Sequence, residues 1–112
     1  MKIMINEHGR HITAVAPQGK VDALSAPDLR KQFQRLLDEG TINFIIDLSS
    51  TPFVDSSGLA TLLSMYRVAR QADGDVKLIQ PQEKTAQHIL ELAKFDRVFD
   101  IVQTIEDALE RF

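Results

Sequence analysis

The chain has 112 residues, of which 44% are hydrophobic and 26% are charged, and this composition is typical of a globular domain rather than a disordered segment. Its 13 Lys and Arg residues against 16 Asp and Glu residues give a net charge of -3, which argues against a nucleic-acid-binding protein because such proteins carry a basic excess. The absence of cysteine excludes disulfides, thiolate metal sites and cysteine nucleophiles.

Alternating apolar residues at positions 3 and 5, and again at 12, 14 and 16, predict an N-terminal β-hairpin with its turn at residues 8–10. A helix follows, for which Ser25 is the predicted N-cap and Gly40 the predicted end. Residues 42–48 then alternate with period two, and Ile45 adds an apolar residue on the opposite face. Apolar residues on both faces predict a central strand.

Turn residues at 49–55 lead into a second helix, which ends before residues 73–74. Residues 76–79 predict a further short strand, and residues 98–102 predict an edge strand. Each of the four predicted helices has a face of apolar residues at helical spacing. These faces are Leu29, Phe33, Leu36 and Leu37; Leu59, Leu62, Leu63 and Tyr66; Ala86, Ile89, Leu90 and Ala93; and Ile105, Ala108, Leu109 and Phe112.

The predicted element order is therefore β-β-α-β-α-β-α-β-α. Strands joined through helices pair in parallel, so we predict a single α/β domain over residues 1–112, with a mixed sheet, an N-terminal hairpin and four helices. The longest apolar run has three residues, and residues 1–7 are too short and too polar for a signal peptide. We expect no membrane insertion and a cytoplasmic location.

The most informative segment is residues 53–59, Phe-Val-Asp-Ser-Ser-Gly-Leu, which joins the central strand to the second helix. Open α/β sheets bind ligands and partners at the carboxyl ends of their strands, where this segment lies. The unpaired N–H groups at the start of a helix also favour an anion such as a phosphate. Asp, Ser and Gly are also the residue types of ordinary helix caps. Spacing alone therefore does not decide whether this segment is a helix cap or a functional site.

Three details of this segment are further expectations. Gly58 lacks a side chain at a point where a partner's backbone could approach closely. Helical phase turns Ser57 further toward solvent than Ser56. Of Phe53 and Val54, we expect one to lie in the core and the other to contact a partner, and the sequence does not say which.

This segment resembles the STAS domain of bacterial anti-sigma factor antagonists, in which a hydrophobic strand and a loop with an aromatic residue lead into Asp-Ser-Ser-Gly-Leu and an apolar helix. Residues 19–22, Gly-Lys-Val-Asp, resemble the Gly-x-aliphatic-Asp step that precedes the first helix in that family. The element order agrees along the whole chain. One departure is Ala60, which stands where many relatives have glycine.

The resemblance implies a switch protein without enzymatic activity. In that family the first serine after the aspartate, here Ser56, is phosphorylated by a partner kinase that is itself the anti-sigma factor, with a GHKL-type ATPase fold. The unphosphorylated protein binds this kinase and displaces the sigma factor, phosphorylation ends the binding, and a metal-dependent serine phosphatase restores it. The partner-binding surface implied by the resemblance comprises Asp22, Asp55, Ser57, Gly58 and Leu59.

Two other functions are weighed against this one. A hydrolase would need a nucleophilic serine in contact with a histidine, but the Gly-x-Ser-x-Gly motif is absent and His8, His11 and His88 lie in other elements. We therefore expect no catalytic residue, no cofactor and no metal. The second alternative is a STAS domain that serves as a regulatory or structural subunit of a membrane transport assembly or a stress-sensing scaffold.

Overall fold

The N-terminal hairpin consists of two antiparallel strands, β1 (Lys2–Glu7) and β2 (Ile12–Gln18). The computed structural model describes residues 1–9 and 11–112, so position 10 of the predicted hairpin turn lies outside the described residues. Strands β3 (Asn43–Asp47), β4 (Asp75–Ile79) and β5 (Ile101–Val102) follow. The sheet order is β1-β2-β3-β4-β5, and the pairing is parallel from β2 onward.

Four helices connect or follow these strands: α1 (Ala26–Asp38), α2 (Ser56–Gln71), α3 (Lys84–Leu92) and α4 (Ile105–Glu110). Helices α1, α2 and α3 contribute apolar residues to a main core on one face of the sheet, and α4 covers part of the other face. The predicted α/β fold, its mixed sheet and its element order are confirmed.

Strand β3 lies in the middle of the sheet, as its two apolar faces predict. Phe44 and Ile46 face the main core, and Ile45 faces the smaller cluster beneath α4. All three side chains are fully buried. Burial on both faces is typical of a central strand in a parallel sheet.

The predicted edge strand at residues 98–102 is shorter in the structure. Residues 95–97 form one turn of 3-10 helix, and β5 begins only at residue 101. Phe95 and Phe99 are buried, and the Phe99 ring packs edge-on against Tyr66 with 5.2 Å between ring centroids. The two apolar residues therefore belong to the core between α2 and α3 rather than to a strand, a distinction that a short apolar run does not make.

Lys77 is a buried cation in β4. Its Nζ atom lies 2.8 Å from Asp75 Oδ2 and 2.8 Å from Asp100 Oδ2. Burial by itself lowers the pKa of Lys77, but the hydrogen bonds to Asp100 and Asp75 outweigh it and leave the pKa raised. The hydrogen bond from Lys77 also lowers the pKa of Asp100. Both partners are therefore charged at neutral pH and join β4 to the start of β5.

The pKa of Asp100 is lower in the folded state than its unfolded value of about 3.9. The contact with Lys77 therefore stabilises the fold fully above the unfolded pKa. This stabilisation is lost as the pH falls through the folded pKa. Because the Asp100 side chain is 44% exposed and water screens its ion pair, we expect Asp100→Asn to lower the free energy of unfolding by no more than about 1 kcal/mol at about pH 7 and by less at about pH 3. Urea denaturation at both pH values measures this, with Glu110→Gln as an exposed control. An equal loss at the two pH values would contradict the ion pair.

Candidate functional site

Two loops lie side by side at the carboxyl edge of the sheet, and we call residues 19–25 and 48–55 the paired loops. The Val21 N–H donates to the Phe53 carbonyl oxygen at 3.0 Å, and the Asp55 N–H donates to the Val21 carbonyl oxygen at 3.2 Å. These two bonds make a short parallel bridge beyond the ends of β2 and β3. The two motifs singled out in the sequence are therefore adjacent in the fold.

The Asp55 carboxylate holds both paired loops and the start of α2. Its Oδ1 atom accepts the Gly58 N–H at 2.9 Å, which is the N-cap contact of the helix. Its Oδ2 atom accepts the Ala23 N–H of the other loop at 3.1 Å. A single side chain therefore caps α2 and sets the position of the loop that precedes α1.

Asp22 organises its own loop in a similar way. Its Oδ1 atom accepts the N–H groups of Leu24 at 3.1 Å and of Ser25 at 3.0 Å. The hydrogen bond from the Ser25 N–H, more than any other contact, lowers the pKa of Asp22, so this carboxyl group is ionised at neutral pH. Asp22 and Asp55 thus present two carboxylates on one surface.

Ser25 stands at the N-cap position of α1, as predicted, but its side chain makes no hydrogen bond to the N–H groups of the helix. The hydroxyl donates to the Lys20 carbonyl oxygen at 2.6 Å and accepts the Asp22 N–H at 3.0 Å. The backbone of Ser25 is in the α-helical region rather than the extended conformation of an ordinary N-cap residue. The predicted N-cap residue is therefore confirmed by its position, but its hydroxyl closes the loop on itself instead of capping α1.

Ser56 is the first residue of α2 and is exposed, whereas Ser57 is half-buried. The expectation from helical phase, that Ser57 turns further toward solvent, is wrong. Helical phase describes orientation relative to the apolar face of the helix itself, but the first turn of α2 also packs against the loop of Val21, whose carbonyl lies against Gly58. Of the two serines, Ser56 is the more exposed.

Gly58 is buried, and a Cβ atom on it would collide with the carbonyl oxygen of Val21. The close approach expected at this glycine is therefore made by this chain's own loop and not by a partner. Val54 is also buried, whereas Phe53 is exposed, so the structure decides which of these two belongs to the core. Leu59 is half-buried and packs against the main core.

Ala23 and Leu24 are not among the site residues predicted from the sequence, although site carboxylates bind the backbone N–H groups of both. The available signal was the spacing Asp-x-x-Ser at residues 22–25, which is typical of a turn that an aspartate side chain stabilises. The contact of Ala23 with Asp55 had no such signal because it joins residues 32 positions apart.

His88 lies on the exposed side of α3, with its Nδ1 atom 3.9 Å from Glu91 Oε2. No group of three or more His, Cys, Asp or Glu residues in the described ranges is placed to hold a metal ion. Within the same ranges, no helix has the length and apolar character needed to cross a membrane.

Comparison with known protein families agrees with this geometry. The family model described as the STAS domain matches residues 2–108, which include both paired loops and all four helices except the last residues of α4. The chain belongs to the STAS domain family. The family resemblance given by the two loop motifs is therefore confirmed.

Two relatives carry the name anti-sigma factor antagonist. One, from Thermotoga maritima, is 28% identical over 78 residues, which cover 70% of this chain and 68% of the relative. The other, BtrV from Bordetella bronchiseptica, is 24% identical over 95 residues, which cover 85% of this chain and 81% of the relative.

Solved structures share the whole fold at low sequence identity. The crystal structure of an anti-sigma factor antagonist from Thermotoga maritima has a TM-score of 0.88 at 20% identity, with coverage of 97% of this chain and 92% of that one. SpoIIAA in its unphosphorylated form has a TM-score of 0.82 at 19% identity, with coverage of 98% and 92%. A sulfate transporter family protein from Wolinella succinogenes has a TM-score of 0.78 at 15% identity, with coverage of 95% and 88%.

The packing of Gly58 predicts that Gly58→Ala destabilises the fold, whereas helix propensity predicts that it stabilises it. Propensity alone would make Gly58→Ala stabilising by about 1 kcal/mol. Because the new Cβ would meet a backbone oxygen of Val21, we expect the variant to lose about 1 to 3 kcal/mol instead. Urea denaturation measures the change, with Ser64→Ala on the exposed side of α2 as the control. A stabilised Gly58→Ala would show that the paired loops are free to move apart.

Proposed function

We propose that this STAS domain is an anti-sigma factor antagonist that works by partner switching in the cytoplasm. The observation that carries the proposal is the exposure of Ser56, which follows the capping residue Asp55 at the start of α2 and stands beside the loop of Asp22. In its unphosphorylated form the domain binds an anti-sigma factor, and that partner is a serine kinase with a GHKL-type ATPase fold. Phosphorylation of Ser56 ends the binding.

The docking surface in this proposal is the exposed part of the paired loops and the first turn of α2. Asp22, Asp55, Ser57 and Leu59 contribute to it, and Gly58 supports it from below because it is buried against Val21. The conformation of this surface is set by backbone hydrogen bonds to Asp22 and Asp55. A partner would therefore meet a surface that needs little rearrangement on binding.

The effect of a phosphate follows from the local charges. A phosphoserine at position 56 would add about -1.5 to -2 charges next to Asp55, at a helix start whose dipole can partly accommodate them. The fold therefore survives the modification, and the penalty falls on the interface. A desolvated like-charge contact there costs several kcal/mol, and about 3 kcal/mol already weakens binding more than a hundredfold.

The enzymes that phosphorylate and dephosphorylate Ser56 are separate proteins in this proposal. The sequence has neither a Gly-x-x-x-x-Gly-Lys-Ser/Thr loop nor a Gly-x-Gly-x-x-Gly motif, so the kinase supplies the nucleotide, the Mg²⁺ and the base that accepts the serine proton. A metal-dependent serine phosphatase removes the phosphate and restores binding. The domain is thus a substrate of both enzymes and a catalyst of neither reaction.

The assignment of Ser56 is tested by affinity capture from a lysate of the source organism, with wild type, Ser56→Ala, Ser56→Asp and Ser64→Asp as baits. We expect wild type, Ser56→Ala and Ser64→Asp to retain the same ATP-binding serine kinase, and Ser56→Asp to bind it about a hundredfold more weakly. Ser64 is exposed on α2 and controls for the added charge. Mass spectrometry identifies the retained proteins.

A different result would assign the domain elsewhere. Retention of transporter or scaffold subunits by all four baits alike would support the alternative of a subunit in a membrane transport assembly or a stress-sensing scaffold. Retention of the kinase by Ser56→Asp as strongly as by wild type would remove Ser56 from the switch.

Asp22 provides a second test, because its charge can be separated from its hydrogen bonds. In Asp22→Asn the side-chain oxygen can still accept the N–H groups of Leu24 and Ser25, so the loop keeps its shape. We expect this variant to bind the kinase about tenfold more weakly at an unchanged melting temperature. Binding is measured by calorimetry and melting by circular dichroism, with Asp38→Asn as the control. A matching loss of thermal stability would make Asp22 a structural residue.

A further inference from the structure

Leu24 is the most exposed large apolar side chain in the part of the chain that the structure describes, with 90% of its surface open to solvent. One exposed leucine is ordinary on a protein surface, so exposure alone does not indicate a partner. The second observation is the backbone around it. The Leu24 N–H is bound by Asp22 at 3.1 Å, and the preceding N–H, of Ala23, is bound by Asp55 at 3.1 Å.

A fixed backbone changes what an exposed apolar side chain can do. Hydrogen bonds from the Ala23 and Leu24 N–H groups to two carboxylates fix the backbone in a conformation that leaves the Leu24 side chain exposed. Little backbone entropy is then lost when a partner covers it. The loop therefore presents Leu24 in the manner of a preformed contact.

Phe53 is a second apolar side chain presented by the paired loops. It is 38% exposed, although the next residue, Val54, is buried in the core. Its carbonyl oxygen accepts the Val21 N–H at 3.0 Å, so its backbone is also held in place. Aromatic side chains are enriched among the residues that dominate binding energy in interfaces.

The charges of this surface indicate the chemistry of a partner. Asp22 and Asp55 directly follow the bridged residues Val21 and Val54, and Phe53 directly precedes that bridge. In the described ranges no ion pair joins either carboxylate to a cationic side chain. Lys20, in the same loop, acts on Asp22 at longer range. The surface therefore offers negative charge beside exposed apolar area, and its complement is an apolar pocket with a cationic rim.

We propose that Leu24 and Phe53 are the apolar contacts through which this domain holds its anti-sigma factor. The facing surface of that partner is an apolar pocket that receives these two side chains. This inference rests on the proposed function, because the occupant to which it commits is the serine kinase named there.

The test is calorimetric titration of the domain with each purified GHKL-type serine kinase encoded by the source organism. We expect Leu24→Ser and Phe53→Ser each to raise the Kd about ten- to a hundredfold, as loss of a buried apolar side chain requires. Leu24→Met keeps most of the apolar area and should stay within about threefold of wild type. The control is Met4→Ser, which removes a side chain that is 49% exposed on β1, on the sheet face opposite α1, α2 and α3.

The outcomes separate this inference from the proposed function. If Ser56→Asp abolishes binding but Leu24→Ser and Phe53→Ser bind like wild type, the proposed function stands and the apolar contacts are overturned. Equal weakening by Met4→Ser and Leu24→Ser would also overturn them, since it would indicate non-specific adhesion. If no kinase binds the wild type, both the function and the inference fail.

Discussion

The carboxylate of Asp55 joins two parts of the chain on which the whole candidate site depends. One oxygen binds the Gly58 N–H and thereby caps α2, and the other binds the Ala23 N–H in the neighbouring loop. A carboxylate in this place satisfies unpaired N–H groups and also faces the positive end of the helix dipole. The same contact that stabilises the helix therefore determines where Ser56 lies relative to Asp22.

Packing beneath this surface also holds the paired loops against the start of α2. The absence of a side chain at Gly58 lets the Val21 carbonyl lie against the first turn of α2, and the Asp55 N–H donates to that carbonyl. The paired loops are thus held both by hydrogen bonds at the surface and by close contact below it. The core maintains the shape of a surface built in this way, and under the proposed function a phosphate on Ser56 would change its charge without changing that shape.

The fold was largely predictable because its elements are long, periodic and separated by strong turn residues. The double-sided apolar pattern of β3 placed that strand at the centre, and the hairpin and four helices follow from period alone. Residues 95–102 were not predictable in the same way. Buried phenylalanines at 95 and 99 satisfy the pattern of a short strand and of a core-facing loop equally well.

The element order, the two loop motifs and, through those motifs, the STAS family can therefore be read from the residues in chain order. The exposed serine, the partners of the Ser25 hydroxyl and the neighbour of Gly58 depend on how distant parts of the chain pack. This is because periodicity reports how each residue faces its own helix or strand. The environment of a loop residue is set instead by contacts such as that of Asp55 with Ala23, which exist only after distant parts of the chain have come together.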